Sequence, residues 1–264
     1  MGIESGSGGT VIPQSSELES AAFWRDGFLI RRGLADQDTC RILVDVAREH
    51  LAGQLAPIEY EVDIQYPGAP ENADAEGATT SRRLLQAFSR HDQFRRWAQS
   101  KQVVETISTL FSSPDVSLSQ CHHNCVMTKQ PGYSSVTRWH QDNRYWSFDE
   151  ENLISVWLAL GAEDIQNGCL RVIPGSHRFE LQSGRFDAAQ FLRADLQENK
   201  ALVAESIPIE LECGDVLFFH SELLHAAGRN RTEATKYSLV YTYHLTNNRP
   251  IAGTRSARFP DVSF

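Results

Sequence analysis

Residues 156–177 read VWLALGAEDIQNGCLRVIPGSH. An apolar run from Val156 to Leu160 gives way to a polar turn closed by Asn167-Gly168; a second short run follows, and Pro174-Gly175-Ser176-His177 stops it. Short apolar runs bounded by Asn, Gly and Pro are the pattern of buried strands, because Gly and Asn supply the tight turn and Pro cannot continue a ladder.

The same texture extends outward in both directions. Upstream lie VSLSQCHHNCVMTK (116–129) and VTRWHQD (136–142); downstream lie SIPIELECG (206–214), VLFFHS (216–221) and YSLVYTYHL (237–245), all separated by Gly, Pro, Asn and Asp. Many short strands without intervening helices predict a sandwich or jelly roll. The polar, partly helical stretch 178–204 interrupts the series and is expected to cover one mouth of the barrel. Before residue 112 the pattern differs. Residues 17–33 read as a short helix and a strand broken at Asp26-Gly27. Asp36 or Asp38 can cap a helix whose apolar positions Cys40, Ile42, Leu43, Val46 and Ala47 recur at helical spacing. Residues 53–82 look like a long surface loop, and 90–111 like a helix. The expected fold is mainly β with flanking helices: one domain over 16–264, helical to about 112 and β from about 113 to 250, after a flexible Gly/Ser-rich tail at 1–15.

Composition bounds the function. The chain has 264 residues, 41% hydrophobic and 22% charged, within the range of an ordinary globular domain. A net charge of -9 disfavours nucleic acid and anionic membranes, which need clustered Lys and Arg, and leaves a small molecule as the expected partner. The start of the chain has no secretory pattern and no apolar run reaches membrane-spanning length, so a cytoplasmic location is expected. Five cysteines, an odd number without CxxC spacing, suit reduced thiols. No heptad or long apolar stripe specifies an oligomer.

The chemistry sits in two stretches. In Trp139-His140-Gln141-Asp142, strand alternation sends His140 and Asp142 to one face. In GDVLFFHSELLHAAGRN (214–230), His220 and His225 are both available as a third ligand. Two imidazoles and one carboxylate make the facial triad of non-haem Fe(II) oxygenases, which leaves positions open for a cosubstrate and O2. On the strand at 116–129, neighbouring His122 and His123 face opposite sides and do not share one tetrahedral zinc easily, whereas Asn124 and Thr128 share a face and can touch a cosubstrate. Arg144 and Trp146 can line the substrate pocket, Arg144 pairing an anionic group and Trp146 shielding the metal from solvent.

Over roughly residues 20–250, WHQDNRYW (139–146), the 156–177 stretch and the 214–230 stretch resemble, in order and spacing, the phytanoyl-CoA dioxygenase family of Fe(II)/2-oxoglutarate oxygenases. The resemblance implies a double-stranded β-helix of the cupin-like jelly-roll kind. It implies His140, Asp142 and His225 as iron ligands, with His220 either supporting those ligands from behind or structural, and His177 structural. It implies 2-oxoglutarate and O2 as cosubstrates, and hydroxylation of a C–H bond with release of succinate and CO2. The family's basic residue about eleven positions after the distal His falls on Lys236, where Arg is usual; Lys offers a point charge instead of a bidentate fork. Ser238, on the same strand face, can add a hydrogen bond to the same carboxylate, and Arg229 and Arg231 are alternative anchors. The resembling halogenases carry Gly or Ala where this chain has Asp142, so the carboxylate argues for hydroxylation. Two rival readings stay open: a metal enzyme on the same fold that does not use 2-oxoglutarate, and a catalytically silent binding protein.

Overall fold

The structure, a computed structural model, describes residues 15–264 except residue 65; the tail at 1–14 lies outside the described residues. Helices α1 (Ser15–Asp26), α2 (Gln37–Ala52), α3 (Ala87–Arg90), α4 (Asp92–Ala98) and α5 (Lys101–Phe111) precede the main run of strands, and α6 (Gln197–Ala204) lies inside it. The strands are β1 (Phe28–Arg31), β2 (Ile58–Tyr60), β3 (Ser81–Leu85), β4 (Val116–Lys129), β5 (Thr137–His140), β6 (Leu153–Ala159), β7 (Leu170–Val172), β8 (Ile207–Pro208), β9 (Val216–His220), β10 (His225–Ala227), β11 (Lys236–Leu245) and β12 (Val262–Ser263). They form two antiparallel sheets, one ordered β1-β9-β6-β11-β4-β3-β2 with β12 beside β4, the other β5-β10-β7-β8. This is the expected jelly roll with flanking helices.

The large sheet is apolar on both faces, and alternation divides its side chains between two cores. Val156, Leu158, Phe218, Leu239 and Tyr241 point to the helices, where they meet Phe23, Leu43 and Phe94. Trp157, Leu217, Phe219 and Val240 point into the barrel and meet Leu170 and Val172 of the small sheet. Each such side chain contributes about 1.5–3 kcal/mol of burial, so a strand buried on both faces holds its register firmly. Tyr241 and Tyr243, fully buried, donate their hydroxyls to the carbonyls of Phe94 and Ala98 and fix the helical layer to the sheet.

Local expectations fare unevenly. Asp36 caps α2 by accepting from the Thr39 N–H (2.6 Å). Gly27 lies at φ +83°, and a Cβ there would collide with the His177 ring, which accounts for the break at Asp26-Gly27. The stretch at 53–82 is not all loop: β2 and the start of β3 extend the large sheet beside β4. Their alternation is masked in the sequence because the inward residue Arg82 is charged yet buried. The helix at 90–111 breaks at Gln99-Ser100 into α4 and α5. SIPIELECG shrinks to β8 plus a bridge between Leu211 and Glu163, and β10 is too short to show a period.

Candidate metal centre

Three elements bring the ligand atoms together. His140 ends β5, Asp142 opens the turn after it, and His225 opens β10, which pairs β5 with His225 directly opposite His140. The imidazole centroids are 4.2 Å apart. Asp142 Oδ1 lies 3.6 Å from His140 Nε2 and 3.7 Å from His225 Nε2. All three side chains are buried, and one atom of each lies within 4.8 Å of the others.

The backbone orients the rings. His140 Nδ1 donates to the Arg138 carbonyl (2.8 Å) and His225 Nδ1 to the Leu223 carbonyl (2.9 Å). A carbonyl only accepts, so the proton is on Nδ1 and the Nε2 lone pair faces Asp142. Neither Nε2 has a hydrogen-bond partner among the described residues. Both rings line the cavity, and two free imidazole nitrogens beside one carboxylate are a donor set that fits a divalent metal ion. Burial pushes the His225 imidazole down to about 4, with His140 adding to it, which keeps it neutral as a ligand must be. Burial works against the Asp142 charge, but His123, His225 and His140 hold its carboxyl well below the ordinary carboxylate range. Its second oxygen, Oδ2, accepts from Ser155 Oγ (3.5 Å) and lies 3.5 Å from His123 Nδ1.

Two cavities meet at this cluster. The inner chamber runs from His140 and His225 to Thr128, Lys129, Lys236 and Ser238. The outer cavity, about 550 Å³, is walled by Tyr66, Tyr145, Trp146, Arg255 and Arg258 and shares His140 and His123 with the first. The insertion expected over one mouth caps the metal end: Leu192 N–H donates to the Trp139 carbonyl (2.8 Å), and the Phe191 ring lies 5.8 Å from that of His140.

The other residues singled out in the sequence divide between cavity and scaffold. Lys236 and Ser238 line the inner chamber, but both donate to the buried Glu163, Nζ at 2.7 Å and Oγ at 2.6 Å. Thr128 also lines it and donates to the Ser81 carbonyl. Asn124 borders the outer cavity and accepts from the Phe88 N–H at the start of α3. Trp146 is in the outer wall, stacked on His122. Arg144 is in neither wall; it donates to Gln141 and lies over the Phe186 ring of the insertion, because the turn at 142–145 points it outward. His220 stands apart from the triad, packed against Trp24 and His177. Arg229 reaches the Gly68 carbonyl.

Sequence reasoning missed His123. A bulge in β4 pairs Tyr241 with Asn124 and the next residue, Thr242, with Ser119, leaving residues 120–123 without partners on β11. That bulge turns both histidines toward the outer cavity, where simple alternation opposed them. It missed Glu163 as well, since an acidic residue in a polar turn ordinarily reads as solvated.

A jelly roll carrying two imidazoles and a carboxylate on adjoining strand ends has the donor arrangement of non-haem Fe(II) oxygenases. The profile of the family described as Phytanoyl-CoA dioxygenase (PhyH) matches residues 23–238, and the chain belongs to that family. It is 26% identical to peroxisomal phytanoyl-CoA dioxygenase of Rattus norvegicus over 239 residues, 86% of this chain and 68% of the rat protein. The matched part is smaller in other relatives, 47% of phytanoyl-CoA dioxygenase 1 of rice and 56% of the probable enzyme of Caenorhabditis elegans. Among solved structures, EctD from S. alaskensis with 2-oxoglutarate and 5-hydroxyectoine superimposes with a TM-score of 0.74 at 20% identity, covering 93% of this chain and 81% of that one. The epimerase SnoN in complex with Fe3+, alpha ketoglutarate and nogalamycin RO gives 0.71 at 20%, covering 94% of both. These likenesses show the fold. No helix among the described residues is long and apolar enough to cross a membrane.

Proposed function

We propose that the chain hydroxylates an unactivated C–H bond of a small molecule, consuming O2 and 2-oxoglutarate and releasing succinate and CO2. The observation that carries this is the junction of an intact His140–Asp142–His225 donor set with two separate cavities, one basic and inner, the other wide and aromatic. 2-Oxoglutarate belongs in the first and the organic substrate in the second. The three ligands would hold Fe(II) with positions open for both cosubstrates, and iron supplies the oxidising chemistry that no side chain here can. The protein binds, orients and excludes water. Phe191 and the insertion close the metal end. Trp146 and Tyr145 offer faces for apolar groups. Arg255 and Arg258, with no carboxylate at ion-pair distance among the described residues, suit an anionic or acceptor-rich substituent. EctD, crystallised with 2-oxoglutarate and 5-hydroxyectoine, and the epimerase SnoN, crystallised with Fe3+ and alpha ketoglutarate, share this fold. The five free cysteines suit a reducing, cytoplasmic setting.

The contacts of Glu163 on Lys236 favour a second reading, a metal enzyme on this fold that does not use 2-oxoglutarate. Both are tested by incubating Fe(II)-loaded protein with 2-oxoglutarate in air and measuring succinate, with Asp142→Ala as control. Succinate from the wild type and none from the variant is expected; none from either transfers the case to the second reading.

A further inference from the structure

The inner chamber holds its own counter-charge. Glu163 is 1% exposed, and each of its oxygens is engaged: Oε2 accepts from Lys236 Nζ (2.7 Å), and Oε1 from Ser238 Oγ (2.6 Å) and Trp157 Nε1 (2.9 Å). Its backbone is bridged to Leu211 in both directions, 2.7 and 3.0 Å, so the side chain is held from a fixed point. Lys236, Ser238 and Trp157 therefore already grip a carboxylate, and it is one from the protein.

The cations of this wall can be counted against their partners. Arg82 lies 3.3 Å from Glu59 and 3.5 Å from Glu61, Arg83 lies 3.5 Å from Glu59, and Lys236 has Glu163. Lys129 is the fourth cation. It has no carboxylate at ion-pair distance among the described residues, and its Nζ donates only to the Ser135 carbonyl (3.0 Å). Four basic side chains face three carboxylates, and Lys129 is the one left without an acidic partner among the described residues. Lys129 is also the register partner of Lys236 across β4 and β11. A ligand anchored at Lys129 instead of Lys236 shifts sideways by about one strand spacing, roughly 4.8 Å.

We propose that Lys129 receives the distal carboxylate of the 2-oxo acid, and that Glu163 closes the position between Lys236 and Ser238. This rests on the chamber being the site of a metal-chelating 2-oxo acid, as proposed above. Selectivity for a dicarboxylate then comes from one ammonium on the neighbouring strand.

The test is anaerobic titration of the Fe(II)-loaded protein, following the visible charge-transfer band, with 2-oxoglutarate and with 2-oxobutyrate, which lacks the distal carboxylate. Lys129→Met should weaken 2-oxoglutarate about thirtyfold, the scale of a lost charge-assisted hydrogen bond, and leave 2-oxobutyrate unchanged, so each protein is its own folding control. Lys129→Arg should recover most of the loss. Lys236→Gln combined with Glu163→Gln removes the internal pair without stranding a charge and should stay within about threefold of wild type. Loss of 2-oxoglutarate binding in that double variant, with Lys129→Met unaffected, overturns the proposal and returns the anchor to Lys236. A wild type that shows no band with either acid overturns the underlying reading instead.

Discussion

At the metal end of the inner chamber, His140 and His225 commit Nδ1 to backbone carbonyls and leave Nε2 free, whereas at the far end Lys236, Ser238 and Trp157 all turn their donors onto Glu163. Both ends are buried and rigid. One is completed by something added; the other is complete already. Pre-organisation alone therefore does not identify a binding site: the donors must be held and also unsatisfied.

The largest effect expected follows from the open end. Asp142→Ala should abolish succinate formation and lower iron affinity beyond the roughly 10–100-fold typical of losing an outer-shell partner, as read by metal analysis after dialysis. A variant that retains stoichiometric iron would break the picture of a three-ligand centre. The closed end makes the opposite prediction, on stability. Glu163→Leu leaves Lys236 buried without a counter-ion and should cost about 3–5 kcal/mol in urea unfolding, while the Glu163→Gln, Lys236→Gln double variant should be close to neutral. Equal stability of single variant and wild type would mean the pair is not a fixed part of the wall. Between these lies His123, which sharpens the metal end. His123→Phe keeps the volume but leaves Ser155 as the remaining partner of Asp142 Oδ2, so iron affinity should drop about tenfold or more with folding intact. Competition with a chelator reads it.

The legibility of the chain follows the same division. The triad was readable because its parts are local: alternation in WHQD sets two ligands on one face, and the family-like order of the motifs points to His225 over His220. The central strands of the large sheet were readable because burial on both faces leaves nearly continuous apolar runs such as Leu153–Ala159, unlike β2 and β3 at its edge. Glu163, Lys129 and Arg82 were not, since each is a charged residue whose burial depends on elements far away in sequence: Leu211 for Glu163, Ser135 for Lys129, Glu59 and Glu61 for Arg82. Composition marks such residues as surface, and only the fold places them inside. His123 was hidden differently, by a bulge that breaks the period on which the alternation argument depends.

The smallest effect discriminates most finely between the two cations at the inner end. Burial, with help from Lys236 and Arg82, pushes the Lys129 ammonium down from 10.5 to about 7, while Glu61 and Glu163 pull it the other way. Between about pH 7 and 10.5 the unfolded chain holds the extra proton, so this group makes stability rise with pH across that window, and the benefit is gone below it. Ligand binding runs in the opposite sense. A carboxylate docking on Lys129 favours its charged form, so the free protein must take up a proton above pH 7, and 2-oxoglutarate affinity should fall about fivefold from pH 7 to pH 8. 2-Oxobutyrate measured alongside cancels any change at the metal ligands. Lys129→Arg, whose guanidinium stays charged, should make the ratio of the two affinities flat. A ratio that is flat in the wild type as well would show that the ammonium losing its proton is not the one holding the ligand.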